Sequence, residues 1–357
     1  MDRLDQGGET VVGGLIVLGS IQTEMTALLE DRSAPLYLRS TDRIELRHLD
    51  IAAVVALIRD HAEFSPQRLL FLWTLFEGVP KFYRDCFERQ VLNQDRGELL
   101  RRIFFESASP LRTEAENWFL RELRGRYDTM LKFVARTPGR MHGDLLAAVR
   151  EASGNSDKQI SGYLQNLTDR FGLIEKKQPI FASDNARKGR YYISDNFLQA
   201  WLGALAISVA ARDFRPVEDL VAAADHRLAQ VEGYAFERLV AKLYEERSRK
   251  KLPGFPIQSK ISGYWDRGDI EIDFVAMNED DRRIRFGSCK RSALKLVTDI
   301  TNFRGHVERF LDAFPKFRAW HVELVGFSPE LNLQVRSHLN HYGVIAEDLV
   351  DLTRDLV

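Results

Sequence analysis

The sequence predicts a multidomain protein with mixed α/β and all-α parts. Three observations carry that expectation. An apolar, β-branched run near the start, VGGLIVLGS over 12–20, ends in Gly and Ser as a buried parallel strand does. Between about 50 and 127, Phe and Leu recur at spacings of three and four, the period of a helix face. From about 231 to 357 helical and β patterns alternate, which is the order of a compact α/β unit. With 357 residues, the chain is long enough for two or three separate cores.

Taken in order, the strand over 12–20 leads into a helix, IQTEMTALLED, with Met25, Leu28 and Leu29 at helical spacing. A short alternating strand is expected over 43–46. One strand of this kind cannot make a stable sheet alone, so 1–50 reads as the tail of a larger α/β domain. Residues 51–127 read as a helical bundle, broken at EGVP, where Gly78 and Pro80 mark a turn. In 128–193 three helices are expected, the first carrying Met130, Leu131 and Val134 and the second lying in GDLLAAVREASG. The third begins at Ser156 with Gln159 three residues on, a capping box, and stripes Ile160, Leu164, Leu167 and Phe171 on one side. Two strands then flank a basic loop, GLIEKKQPIF and RKGRYYIS, giving the pattern of a winged helix-turn-helix. Connecting helices are expected over 194–230. The final unit, 231–357, begins with the helix GYAFERLVAKLYEE. Strands follow near 270–276 and 283–289, then a helix over 298–314, a strand over 320–326, a helix over 329–341 and a strand at Val344 and Ile345.

Composition narrows the function classes. Net charge is −1, so the whole molecule is no electrostatic magnet for nucleic acid and any basic surface must be local. The segment 128–192 holds 11 Lys plus Arg against 7 Asp plus Glu. The polar face of its third helix (Lys158, Gln159, Ser161, Gln165) suits entry into a DNA groove. Lys176, Lys177, Arg187, Lys188 and Arg190 suit phosphates. A winged helix can equally be a protein-contact module, and both readings stand. Two cysteines, Cys86 and Cys289, lack metal-type spacing. They indicate a reducing compartment, and with no apolar run of membrane length the expected location is cytoplasmic.

The chemistry-bearing residues gather in the final unit. Residues two apart on a strand share a face. Glu271 and Asp273 therefore share one face in DIEIDFVA, as do Ser288 and Lys290 in FGSCKRS, while Glu237 lies on the preceding helix. Carboxylates converging on a divalent ion, with a lysine to orient water or neutralise developing charge, are what metal-dependent phosphodiester cleavage requires. Asp273 and Glu237 are the candidate Mg²⁺ ligands, Lys290 and Glu271 complete the candidate catalytic set, and Arg291 adds a DNA contact. By alternation Cys289 points away into the core. His338 and His341, three apart on a helix without a partnering acid, read as solvated.

Helix Glu, strand Asp and a lysine on the next strand form the order of the PD-(D/E)XK nuclease-like superfamily, which the segment resembles. More narrowly, GYAFERLV, GYWDRGDIEIDFVA, FGSCKR and GFSPEL resemble the C-terminal domain of the archaeal-type ATPase family, a STAND-like branch of P-loop ATPases. Elsewhere LIVLGSIQTEM resembles that family's sensor strand and following helix. SAPLYLRSTDRIELRHLD and GVPKFY are similar to its arginine segment and helical lid, and RKGRYYISDNFLQAW to the segment after its helix-turn-helix. The resemblance implies a remnant of the P-loop core over 1–50, a helical lid over 51–127, a winged helix and a restriction-endonuclease-like domain. It also implies nucleotide-sensing roles for Ser20, Arg39 and Arg43, although ordinary surface pairing is the simpler reading of the two arginines.

Two departures from that pattern shape the functional expectation. No G-x-x-x-x-G-K-[ST] loop occurs in the 357 residues, so ATP is not expected to bind or be hydrolysed by this chain alone. Ser288 stands where the resemblance implies a glutamate, and a hydroxyl is a poor ligand for a hard divalent ion. The expectation is a DNA-binding protein with an impaired Mg²⁺-dependent nuclease-like domain. Two alternatives stay open: a module completing an ATPase domain on another chain or associating with itself, and an active Mg²⁺-dependent DNA endonuclease.

Overall fold

The computed structural model describes residues 16, 28–34, 36, 37, 39–42, 44, 46–109, 111, 112, 114, 127–154, 156–183, 188–266 and 270–357. The expected strand over 12–20, apart from residue 16, lies outside them. So does the helix after it, except for a turn at 28–30. Of the strand expected over 43–46, Ile44 and Leu46 are described; neither is in a strand and both are largely exposed. Among the described residues no second strand lies beside them to supply a ladder.

The helical part consists of α1 (Ile51–His61), α2 (Pro66–Phe76), α3 (Pro80–Glu88) and α4 (Arg96–Leu100), the last continuing through a π-helical turn, Arg101–Phe105. Ser65 caps α2 and Pro66 opens it, a position where proline's missing N–H costs nothing. The EGVP break works as a close approach of two chains. Glu77 takes φ 49°, and Gly78 accepts a 2.8 Å bond from the Leu49 amide. A Cβ at Gly78 would fall 2.3 Å from the Leu49 carbonyl oxygen, so only glycine fits there.

Helices α5 (Asp128–Arg136), α6 (His142–Ser153) and α7 (Asp157–Gln165) follow as the sequence predicts, and Met130, Leu131, Val134, Ile160, Leu164 and Leu167 are buried. The Ser156–Gln159 capping box forms in both directions. The two expected strands, β2 (Ile174–Lys177) and β3 (Arg190–Ile193), pair antiparallel. A short strand that sequence patterning missed, β1 (Arg140–Met141), adds to β3, giving the order β1-β3-β2.

Beyond α8 (Asn196–Ala200), its π-helical continuation Trp201–Leu205, and α9 (Ala206–Ala210), one helix of 33 residues, α10 (Val217–Arg249), runs unbroken. It passes straight through 230/231, where the sequence suggested a junction. Gly233, the first residue of the helix expected there, instead lies inside the long helix, at a cost of about 1 kcal/mol relative to alanine.

Strands β4 (Ser262–Trp265), β5 (Glu271–Asn278), β6 (Arg283–Cys289), β7 (His321–Phe327) and β8 (Val344–Glu347) form one sheet in that spatial order. The first three pair antiparallel, and β6-β7-β8 are parallel. Helices α11 (Ala293–Ala313) and α12 (Leu333–His341) provide the crossovers, and α13 (Leu349–Thr353) closes the chain. Phe274, Cys289 and Phe327 join the α10 core, whereas Val275, Ile284 and Phe286 pack with Phe303 and Phe310 of α11. Gly287 is pinched between rings: a Cβ there would meet Phe327 at 2.7 Å and Phe274 at 3.1 Å. No described helix is long and apolar enough to cross a membrane.

Candidate functional site

The end of β6 is held against β5 by one carboxylate. Asp273 Oδ2 accepts from the Cys289 amide at 2.8 Å, from Lys290 Nζ at 3.1 Å and from Ser288 Oγ at 3.5 Å. Lys290 lies 3.8 Å from Asp299 on α11 as well. A cavity of about 390 Å³ opens here, lined by Arg190, Glu271, Asp273, Ser288, Lys290 and Asp299, with His306 behind them. A second cavity of about 350 Å³ shares Arg190, Glu271 and Asp273 and adds Glu237, Lys176 and Lys260. The expected quartet is therefore brought together, with Glu237 reaching it from α10.

Burial, and then the Asp273 carboxylate, push Glu237 well above the usual glutamate range, against the pull of Lys290 and Lys177. Burial would lower Lys290, but Asp273 and Asp299 outweigh it and hold the ammonium charged. Burial raises the Cys289 thiol, helped by Asp273 and Glu237, so it stays a thiol in the core as alternation implied.

Glu271 is occupied by an arginine from outside the α/β unit. Arg190 of β3 donates to its carboxylate at 2.5 Å while the guanidinium rests 4.8 Å from the centre of the Trp265 ring. The Glu271 amide donates to His306 Nδ1 at 3.0 Å, which fixes the backbone beside the ion pair. The donor set for a divalent ion is correspondingly poor. Asp273 is satisfied by an amide and an ammonium, Ser288 is neutral, Glu271 is paired, and burial disfavours the charged form of Glu237. Among the described residues no three His, Cys, Asp or Glu side chains form a metal-binding group. These residues do not fit a bound Mg²⁺ as they stand.

The expected DNA contacts divide into two sets. Lys158, Gln159 and Gln165 are exposed on α7, although the Gln159 carboxamide is engaged in its cap; Ser161 is partly buried near His142. Lys176 is exposed, and Arg187 lies outside the described residues. Other members turn inward onto the protein. Lys177 pairs with Glu175 at 3.2 Å and sits about 5 Å from the rings of Tyr192 and Tyr234, and burial lowers its pKa. Lys188 is tied down through its backbone, whose carbonyl accepts from Trp265 Nε1 at 2.8 Å. Arg291 pairs at 2.5 Å with Glu232, a buried carboxylate that Arg96 also contacts. Ser20 and Arg43 lie outside the described residues, and Arg39 sits exposed in a turn.

Sequence reasoning missed the α11 wall, Asp299, Asn302 and His306. Their spacing of three and then four inside the expected helix over 298–314 was the available signal.

Residues 201–300 match the DUF234 family, described as archaea bacterial proteins of unknown function. The matched stretch holds Glu237, Glu271, Asp273, Ser288 and Lys290 but not Arg190. An uncharacterized protein of Methanocaldococcus jannaschii is similar over 293 residues at 26% identity. That covers 79% of this chain and 60% of the relative, so the chain matches less than two thirds of that protein's length. No solved structure matches the chain.

Proposed function

We propose that the chain binds DNA and carries a nuclease-like pocket whose metal-dependent chemistry is impaired. The observation that carries this reading is the state of Asp273. Asp273 lies beside Lys290 at the end of adjacent strands, a proximity that supports a PD-(D/E)XK-like reading. Yet its carboxylate is satisfied internally and its neighbour at 288 is a serine. Helix α10, three antiparallel strands, α11 and a parallel strand follow the element order of restriction-endonuclease-like domains, which supports the resemblance. The adjoining groove carries Lys176, Arg190 and Lys260 on walls that also hold Glu175, Glu237 and Glu245, and those three cations are its candidates for a phosphodiester backbone. No metal-dependent step is assigned to the present residues.

Titration of labelled duplex and single-stranded oligonucleotides at several salt concentrations tests the binding claim. Phosphate contacts by about three or four cations require a log–log salt slope of roughly −2 to −4. Absence of binding at low salt overturns the claim. For cleavage, supercoiled and branched DNA with Mg²⁺ or Mn²⁺ should stay largely intact, and efficient cutting abolished by Lys290→Ala would establish the endonuclease alternative instead.

A second reading draws on Ile44 and Leu46, which are 85% and 90% exposed just ahead of α1. It makes the chain a module that docks on an ATPase domain of another chain. Association through such apolar side chains should persist at high salt, unlike DNA binding.

A further inference from the structure

Arg190 is the one side chain of the small β1-β3-β2 sheet that lines the cavity at Asp273 and Lys290, and it lines the adjoining cavity as well, beside Lys176 and Lys177. Its setting is that of a prepared anion receptor. The guanidinium carbon lies 4.8 Å from the centre of the Trp265 ring, and a planar fork packed on a ring in this way is matched to phosphate oxygens. The arginine side chain is 19% exposed, but its partner Glu271 is 58% exposed. An ion pair with one member so far into water is weak and easily exchanged. Exchange needs no backbone movement, because the Glu271 amide stays bonded to His306 while only the side chain swings.

We propose that Arg190 is a phosphate-binding residue of the pocket and that Glu271 is its resident counter-ion, holding the place of a backbone phosphate until nucleic acid arrives. This assigns Glu271 to gating anion entry rather than to holding a metal. It makes the pocket composite, with the small sheet supplying the cation and the α/β unit the rest. The identification of that phosphate as DNA rests on the function proposed above; the receptor itself does not.

The test uses the full chain and two probes, a fluorescein-labelled oligonucleotide read by anisotropy and inorganic pyrophosphate read by calorimetry. Glu271→Gln should tighten both by about two- to fivefold, the scale of one screened ion pair. Arg190→Ala should weaken both, and adding Glu271→Gln to it should change nothing further. Arg190→Lys keeps the charge and the pair but not the fork, so it should bind more weakly than wild type at unchanged melting temperature. A tightening by Glu271→Gln that survives in the Arg190→Ala background is general charge repulsion and overturns the proposal. Unchanged or weaker binding by Glu271→Gln overturns it too, as does failure to bind either probe. If pyrophosphate follows the expected pattern while the oligonucleotide does not bind, the receptor stands and the DNA reading falls.

Discussion

Position 288 concentrates the functional question in one hydroxyl. Ser288 is buried 3.5 Å from Asp273, beside Lys290. Ser288→Glu places a second carboxylate on the face that holds Asp273, at a packing cost of about 1–3 kcal/mol. If that carboxylate is all the site lacks, the variant should cut supercoiled DNA with Mg²⁺ or Mn²⁺ above the wild-type level, and Lys290→Ala added to it should remove the gain. No gain in a variant that still melts cooperatively would show that the defect extends past 288, to the pairing of Glu271. Glu237 carries a separate signature. Its pKa is raised in the folded protein, so between the ordinary value of 4.5 and the folded value the native state keeps a proton that the unfolded chain has released. Stability from this group is therefore greatest at low pH and falls as pH rises. Glu237→Gln removes that loss, so its stability relative to wild type should climb from pH 4 to pH 8 in urea titrations; a constant difference would sink the assignment. At this scale much was legible in the sequence. Strand alternation placed Asp273, Lys290 and the inward Cys289, but nothing local could reveal that Glu271 meets Arg190, 81 residues away.

At the scale of elements, buried charges join the helices. Glu77, at the end of α2, contacts Lys242 and lies 3.6 Å from Arg238, both on α10; it is 3.8 Å from His48 and receives the Asn196 amide at 3.4 Å. Burial alone would raise its pKa, but His48, Arg238 and Lys242 together hold it far below the usual glutamate range. A depressed carboxylate stabilises fully above its unfolded value of 4.5, and that stabilisation fades as pH falls below it. Glu77→Ala should cost about 3 kcal/mol at pH 7, because it strands the cations it neutralised. The deficit should shrink toward pH 3, and a deficit independent of pH would mean that packing rather than charge is lost. The turn beside it was visible as EGVP. The clamp was not, since its members are scattered from His48 to Lys242 and each reads locally as an ordinary surface charge. The capping box at Ser156 was legible for the opposite reason, that both partners lie within one turn. Strand β1 escaped because two residues carry no period.

At the scale of the molecule, the small sheet is not a free wing. Phe181, from the loop after β2, stacks on Phe317 at 5.3 Å and approaches Phe310 and Phe314, and the Ile180 amide donates to Gly263 at 2.9 Å. Tyr192 lies parallel to Tyr234 of α10 at 4.7 Å. Basic composition pointed this segment outward, whereas Lys177, Arg190, Phe181 and Tyr192 seat it on α10 and the α/β unit. Its remaining candidates for DNA contact lie on α7, at Lys176 and, once Glu271 is displaced as proposed, at Arg190.

Helix α10 is the member that every part touches. Glu246 accepts the first amides of α1 at 2.7 and 3.1 Å. Glu232 joins Arg96 of α4 to Arg291 after β6. Tyr234 meets the small sheet, and Tyr244 donates to Glu347 of β8 while receiving from Arg285 of β6 at 2.8 Å. A continuous helix with contacts of this kind should make the helical bundle and the α/β unit melt together. Gly233, at the middle of it, allows a direct test, because a Cβ there meets nothing within 4 Å. Gly233→Ala should therefore stabilise the protein by about 0.5–1 kcal/mol through backbone entropy alone. Gly233→Pro removes an amide from the helix ladder and clashes with the preceding turn, a cost of about 3 kcal/mol. In calorimetry the wild type and the alanine variant should show one transition and the proline variant two, the bundle parting from the α/β unit. A wild type that already melts in two steps, or a proline variant that still melts in one, would show that the coupling runs through the sheet and side-chain contacts instead of the helix backbone.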